Sequence, residues 1–289
     1  MKKIVLITFV IFSIFKVRSQ DKILISETEN IKIFETNLSL ESNGNVWPTI
    51  YNEGLIFSSN KRNNKYFFTD FKLYPTRFKT SSKNTTGPFA IFNSEIYFTG
   101  LSKSKINLAV YKGKIDEFGI IEAEELPILK LDFSYADPAI SKDGNRMIVV
   151  ANEKGFPHIL ELIRNRKNEW EKGSVIYISN PQFEILSATI FDENTIYFSS
   201  NASSGKIEEV LYTLDNGKFA VSEFVIEKSS FNIYKTIRNN GIWQLPVKVS
   251  MFNSEFDDLG VVFKTPKSGY LNSFRYNNSD NIYYFELKH

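Results

Sequence analysis

Residues 137–152 read Asp137-Pro138-Ala139-Ile140-Ser141-Lys142-Asp143-Gly144-Asn145-Arg146-Met147-Ile148-Val149-Val150-Ala151-Asn152. A short apolar strand enters a turn and a second strand, rich in β-branched residues, leaves it. Asp and Gly are what a tight connection between two strands requires, since both tolerate turn backbone that other residues resist. Asp143-Gly144-Asn145 therefore carries topology, and no activity is assigned to it.

The same unit recurs along the chain. It appears as Trp47-Pro48-Thr49-Ile50 followed by Leu55-Ile56-Phe57-Ser58-Ser59-Asn60, and as Phe89-Ala90-Ile91-Phe92 followed by Ile96-Tyr97-Phe98-Thr99-Gly100. A later copy is Ala188-Thr189-Ile190-Phe191 followed by Ile196-Tyr197-Phe198-Ser199-Ser200-Asn201. The last is Leu259-Gly260-Val261-Val262-Phe263, a turn at Lys267-Ser268-Gly269, and Tyr270-Leu271-Asn272-Ser273, with Asn281-Ile282-Tyr283-Tyr284-Phe285 as its next strand. Taking Phe57, Phe98, Val149, Phe198 and Leu271 as equivalent, the steps are 41, 51, 49 and 73 residues. A propeller blade of four strands needs roughly 40 to 50.

The expected fold is thus all-β, a five-bladed β-propeller. The last step is 24 residues longer than the one before it, with the excess between about Lys206 and Val249. Two hairpin turns are readable there, Asp215-Asn216-Gly217 and Asn239-Asn240-Gly241, because Asn-Gly is a strong short hairpin signal. The excess is either an inserted hairpin or the remnant of a degenerate blade, which would make the ring six-bladed. No segment after the N-terminal apolar run keeps a 3.6-residue apolar period over helix length, so almost no helix is expected. Ile31-Lys32-Ile33-Phe34 precedes the first full unit, and the chain stops soon after Tyr284-Phe285. The N-terminal strand is therefore expected to close the ring as the outer strand of the last blade, which pairs otherwise exposed edges.

Lys2 and Lys3, the apolar run Ile4 to Phe15 and the polar stretch ending Val17-Arg18-Ser19-Gln20 follow the pattern of an export signal. The run is 12 residues long, whereas a helix needs about 20 to span a bilayer core. Residues 1–20 are read as a signal peptide and residues 21–289 as a single propeller domain, exported to the periplasm or cell surface without membrane insertion. Removing Lys2, Lys3, Lys16 and Arg18 leaves 31 basic against 33 acidic residues, a net charge of −2 where the full chain carries +2. A near-neutral mixed surface argues against nucleic acid, whose phosphates reward a concentrated basic face. The absence of cysteine removes disulfides, thiolate metal sites and cysteine nucleophiles together.

Three segments carry a family resemblance. Phe252-Asn253-Ser254-Glu255-Phe256-Asp257-Asp258-Leu259-Gly260, then Gly269-Tyr270-Leu271-Asn272-Ser273-Phe274-Arg275, then Ser279-Asp280-Asn281-Ile282-Tyr283, resemble a TolB-type (WD40-like) propeller repeat. The pattern is similar to that of the propeller domains of OmpA-linked envelope proteins of type IX-secreting bacteria. Asn232-Ile233-Tyr234 and Gly241-Ile242-Trp243-Gln244-Leu245-Pro246-Val247 echo the outer hairpin of that repeat. The resemblance implies a protein partner in the cell envelope and a docking role. The chain shows neither the helical repeats nor the OmpA-like domain of those proteins, so peptidoglycan attachment is not expected.

The inventory for chemistry is thin. There are two histidines, His158 and His289, and no Gly-x-Ser-x-Gly or His-Glu-x-x-His spacing. His158 is read as a turn or blade-edge residue. Ser102-Lys103-Ser104-Lys105 contains Ser-x-x-Lys, yet it falls in a loop, whereas enzymes using that spacing place it on a helix so that both side chains share a face. Asp257-Asp258 offers two carboxylates for Ca²⁺ without the further oxygens that ion needs; the expected role is a turn whose carboxylates accept backbone N–H bonds. Lys61-Arg62-Asn63-Asn64-Lys65 is read as a solvated loop. Trp47, Trp170 and Trp243 are expected mostly between blades. The expectation is therefore a binding or scaffold propeller for protein–protein interaction with an outer-membrane or secretion assembly. No enzymatic role, catalytic residue, cofactor or metal is expected, and no binding residue is singled out. The alternatives are a glycan- or peptide-binding propeller and, behind it, a propeller hydrolase.

Overall fold

The computed structural model describes residues 22–38, 44–59, 65–71, 75–80, 85–116, 119–130, 132–153, 155–216, 218–276 and 280–288. The predicted signal peptide lies outside them. Five small antiparallel sheets form the ring, and it is a five-bladed β-propeller. The described helical content is one 3-10 turn, Ser250–Phe252.

Two strands, β1 (Ile23–Glu27) and β2 (Ile31–Glu35), precede the first blade. Blade 1 is β3 (Asn45–Tyr51), β4 (Gly54–Ser59), β5 (Lys65–Thr69) and β6 (Thr76–Arg77), from the axis outward. Blade 2 is β7 (Thr86–Phe92), β8 (Glu95–Leu101), β9 (Leu108–Asp116) and β10 (Gly119–Glu125). Blade 3 is β11 (Tyr135–Ile140), β12 (Arg146–Glu153), β13 (Phe156–Arg164) and β14 (Trp170–Ile178). Blade 4 begins with β15 (Ile185–Asp192) and β16 (Thr195–Ser200). A separate hairpin, β17 (Ile207–Asp215) and β18 (Lys218–Ile226), follows before β19 (Asn232–Asn239) resumes the blade. Its outer strand is broken at Pro246 into β20 (Ile242–Trp243) and β21 (Val247–Lys248), both paired to β19. Blade 5 is β22 (Asp258–Thr265), β23 (Ser268–Ser273) and β24 (Asn281–Leu287), followed outward by β2 and β1.

The five equivalent residues all fall on the second strand of a blade, on β4, β8, β12, β16 and β23. These strands are apolar on both faces because a propeller blade is covered on both sides. Leu55 and Phe57 pack in a cluster with Tyr270 and Ile282 of blade 5, while Ile56 between them packs with Phe89 and Phe98 of blade 2. Met147 and Val149 face blade 2, and Ile148 faces blade 4. Five such clusters alternate with five blades, so the core is a ring of wedges between sheets. The unbroken apolar runs of the repeat are the sequence trace of sheets buried on both faces.

The 24-residue excess is the inserted hairpin β17–β18, which turns after Asp215-Asn216 with Gly217 outside the described residues, and the described residues form no sixth blade. The Asn239-Asn240-Gly241 turn is an ordinary blade turn between β19 and β20. Closure falls where the sequence places it: β2 pairs antiparallel with β24 through Ile31 opposite Leu287, Ile33 opposite Phe285 and Phe34 opposite Tyr284. Ile31 and Ile33 are buried in the cluster between blades 4 and 5. Removing a buried Ile side chain to Ala typically costs about 2–5 kcal/mol. Ile33→Ala is therefore expected to lower the urea midpoint by a loss within that range at unchanged m-value, as measured by circular dichroism. An unchanged midpoint would show that the closing strand contributes nothing to the ring.

Candidate functional site

Each inner strand carries a bulge at the same level, visible as a register shift in β3, β7, β11, β15 and β22. Four of the five bulges hold a residue at positive φ: Trp47 at 54°, Gly87 at 76°, Asp137 at 48° and Ser187 at 48°. A bulge takes a backbone group out of the ladder, and a buried group so released needs another partner. Side chains supply it across each gap between blades. Thr99 Oγ1 accepts from Asp137 N at 2.9 Å, Asp137 Oδ2 accepts from Ser187 N at 2.7 Å, and Asn272 Oδ1 accepts from Trp47 N at 3.2 Å. Ser199 Oγ donates to Asp258 O, and Tyr66 Oη donates to Gly87 O at 2.9 Å. All five junctions are thus bridged at one level.

Asp137 is the carboxyl among these bridging side chains, and burial pushes it above the usual carboxylate range. It stands in for a missing hydroxyl: Ser58, Thr99, Ser199 and Asn272 are equivalent on the second strands, and blade 3 has Val150 there. Next to the junction between blades 5 and 1, Asn272 Nδ2 also donates to the Asp280 carboxylate. Burial, aided by the nearby charge of Asp257, raises the Asp280 pKa to about 7 against the opposing pull of that hydrogen bond.

Below this level lies the axial cavity, about 370 Å³, lined by the inner strands of all five blades. Ile50, Ile91, Ile140, Ile190 and Phe263 occupy the equivalent position one step further along each strand, partly buried, and form an apolar collar. Pro48, Pro88 and Pro138 also line it, each without an N–H donor. At the end where the β11–β12 and β15–β16 turns lie, the rim carries Lys142 and Asp192.

The second feature is the inserted hairpin. It leaves the opposite end of the ring, where the blade-to-blade connections run. Its base is held there by Gln182, whose amide donates to Phe224 O at 2.6 Å and accepts from Ile226 N at 2.8 Å. Three of its cross-strand pairs share one face: Val210 with Phe224, Tyr212 with Val221, and Leu214 with Phe219. Exposure rises toward the tip, from 50% at Phe224 to 81% at Phe219. The other face is mixed, with Glu209 opposite Val225 and Leu211 opposite Glu223.

The residues flagged in the sequence separate into roles. Asp257 Oδ1 accepts from Phe231 N at 2.7 Å and Asp258 Oδ2 from Ser254 N at 2.5 Å, so both carboxylates bind backbone N–H groups. Asp258 further pairs with Arg275 at 2.8 Å and with Ser273, which joins three of the family-like segments' residues in one buried lock. His158 is neither in a turn nor at an edge. It is buried in β13, between β12 and β14, with Nδ1 bonded to Phe156 O at 2.7 Å. Ser102 and Ser104 bond each other through their hydroxyls at 2.6 Å in the β8–β9 loop. Lys61, Arg62, Asn63 and Asn64 lie outside the described residues. Trp170 is buried between blades 2 and 3, and the guanidinium groups of Arg146 and Arg238 lie 5.1 and 5.3 Å from the centre of the Trp243 ring. Trp47 lines the axial cavity.

No family model matches the sequence, and no curated protein matches it at a significant level. The fold is similar to solved structures at low identity. TolB from Acinetobacter baumannii is 11% identical over 86% of this chain, with a TM-score of 0.45. This chain spans only 55% of that TolB. A thermostable family-43 glycoside hydrolase is 11% identical over 93% of this chain and 88% of its own, with a TM-score of 0.46. The family-32 β-fructofuranosidase of Bombyx mori is 10% identical over 91% of this chain and 58% of its own, also at 0.46. Glycoside hydrolases thus stand beside TolB among the similar structures, which corrects the expectation that the chain is not an enzyme. That exclusion rested on missing sequence motifs, and glycoside hydrolysis uses paired carboxylates that no such spacing marks. Among the described residues no helix is long and apolar enough to cross a membrane.

Asp280 gives the region a pH signature. Its folded pKa lies near 7 and its unfolded value near the ordinary 3.8, so between these values the folded state holds a proton that the unfolded chain releases. Stability is therefore fully present below about pH 4 and falls as pH rises through 7. Asp280→Asn keeps an acceptor for Asn272 and removes the titration. It is expected to match the parent near pH 3.5 and to exceed it in urea midpoint at pH 8. Equal midpoints at pH 8 would show that the carboxyl does not titrate in that range.

Proposed function

We propose that this protein is a docking propeller that engages a protein partner through the inserted hairpin. The observation that carries the reading is the apolar ladder of Val210, Phe224, Tyr212, Val221, Leu214 and Phe219, all exposed but the half-buried Val210. Monomers rarely leave a contiguous apolar patch beyond a few hundred Å² in water. Three aromatic side chains, each able to bury about 150–250 Å², reach that scale when half or more exposed. The ring does not need this surface: the hairpin forms its own two-stranded sheet and is absent from all five buried clusters. An isolated hairpin is marginal in water, so a partner that covers the ladder also stabilises it.

The TolB-type resemblance supports a partner in the cell envelope, belonging to an outer-membrane or secretion assembly, and the export-signal pattern of residues 1–20 supports the same compartment. The rim of the hairpin, with Glu208, Glu209 and Glu223, favours a partner whose apolar contact is bordered by basic side chains.

The test compares two tagged proteins in pull-downs from envelope extract of the source organism after a salt wash, the parent and a Leu214→Asp/Phe219→Asp variant. Both replaced side chains are more than 60% exposed, so the variant is expected to unfold at the parent's temperature. The parent is expected to retain outer-membrane or secretion components, and the variant to lose them by tenfold or more. The same components held equally by both proteins would overturn the hairpin as the docking surface. A second control replaces residues 207–226 by a short Gly-Ser turn, which is expected to leave the ring's thermal transition within a few degrees of the parent's.

A further inference from the structure

The axial cavity lies at the end of the ring away from the hairpin, and its chemistry goes beyond the docking reading. We infer that it is a binding site for a small apolar carboxylate, with the hydrocarbon part in the collar and the anionic head at Lys142. The collar is a repeat feature: Ile50, Ile91, Ile140, Ile190 and Phe263 come from equivalent positions of five blades, and each packs its far side on a different inter-blade cluster. Their near sides remain partly exposed to the cavity. The collar offers few of the two to four polar partners that a water needs, so it takes apolar molecules instead, with Thr49, Thr189 and Asn272 lining the cavity beside it. The volume of about 370 Å³ falls within the range of small-molecule sites. It admits on the order of a dozen heavy atoms at about 30 Å³ each, the share of one water in the liquid.

The rim decides the sign of the head group. Lys142 is exposed at the cavity mouth. The carboxylate beside it in sequence, Asp143, is turned into its own turn, where it accepts from Ser141 Oγ at 2.5 Å and from Asn145 N at 3.2 Å. The Asp192 carboxylate caps its own turn by accepting from Asn194 N at 2.8 Å. Asp192 keeps its charge but is engaged by that N–H, whereas the Lys142 ammonium makes no ion pair or hydrogen bond among the described residues, so it is the rim charge free to pair and a carboxylate is the head group that meets it. Among the described lining residues Lys142 is the one cation, and an ammonium head would face it with like charge.

The experiment is calorimetric titration of the full mature chain with decanoate, which has a dozen heavy atoms, and with decanol and decyltrimethylammonium as uncharged and cationic controls. Decanoate is expected to bind one-to-one in the micromolar range, and the two controls at least tenfold more weakly. Lys142→Glu, at an exposed turn position, is expected to weaken decanoate by tenfold or more and to leave the decanol affinity unchanged. Ile140→Trp, which fills the collar, is expected to abolish binding of both; its folding is checked by the thermal transition, and Ile190→Trp replaces it if that transition is lost. No heat of binding at millimolar decanoate, or equal affinity for the three ligands together with an unchanged Lys142→Glu, overturns the inference. Because the hairpin variants leave this end of the ring intact, loss of docking in those variants and loss of decanoate binding here are separate results.

Discussion

The ladder between β2 and β24 is the interaction on which the ring depends. A blade isolated from its neighbours exposes two apolar faces, and each cluster is complete only when the sheets on both sides are in place. Blade 5 has three strands from the C-terminal end of the chain, so its outer part must come from elsewhere. Ile31 and Ile33 supply it and also fill the wedge against Ile233 and Phe252 of the blade 4 region. The constraint is non-local, joining residues more than 250 positions apart. Closing so long a loop costs entropy before any contact rewards it. It also pairs the outer edge of β24 in a protein that has no cysteine with which to lock itself.

A second constraint follows from putting five sheets around one axis. Their inner strands converge and must bend, and the bend is taken up at the bulges. Each bulge frees a backbone group, and the side chains of Thr99, Asp137, Ser199, Asn272 and Tyr66 receive it across the gap. Unmade, such buried hydrogen bonds cost about 1–3 kcal/mol apiece. The polar bridges set the angular position of each blade, while the apolar wedges, being non-directional, cannot. Asp137 shows the trade: with Val150 unable to bridge blades 3 and 4, a carboxyl does so, at the expense of burying an ionisable group.

The repeat strands and the closing strand were legible in the sequence because each leaves a local trace, while the excess before blade 5 was legible only as a surplus of turns that fitted an inserted hairpin or a degenerate blade. Apolar runs mark strands covered on both faces, Asn-Gly marks hairpins, and a leftover Ile-x-Ile-Phe at the start matches a missing strand at the end. The ring of bridges was not legible, since it depends on which residues face the next blade. One trace of it was there: Trp47-Pro48, Gly87-Pro88 and Asp137-Pro138 put proline in strands, which is tolerated at edges and bulges. His158 was misplaced for a related reason. Phe156-Pro157 resembles a turn, but in β13 Pro157 sits near the strand start and the imidazole that follows is covered by its neighbours. The collar was spread over five copies of the repeat, where each Ile looks like ordinary core. The family-like segment, by contrast, owes its distinct residues to the buried lock of Asp258, Ser273 and Arg275, so its motif marks how blade 5 is built and says little of what the ring binds.

The hairpin and the cavity place two demands on the same scaffold at opposite ends, and the scaffold keeps them apart. Blade 4 accepts twenty-odd inserted residues between its second and third strands without disturbing the pairing of β16 with β19, which runs unbroken from Thr195 opposite Ile237 to Ser200 opposite Asn232. An insertion at that point enters and leaves at adjacent strand ends, so it adds a surface without lengthening any wedge. The opposite end is built from tight turns such as Ser141 to Asn145, which fix the rim charge close to the collar. Surfaces that emerge from connections change with little cost to the ring, whereas the collar lies on the inner strands and changes only with the packing of all five blades. The hairpin is therefore the adaptable part of this protein and the axial cavity the constrained one.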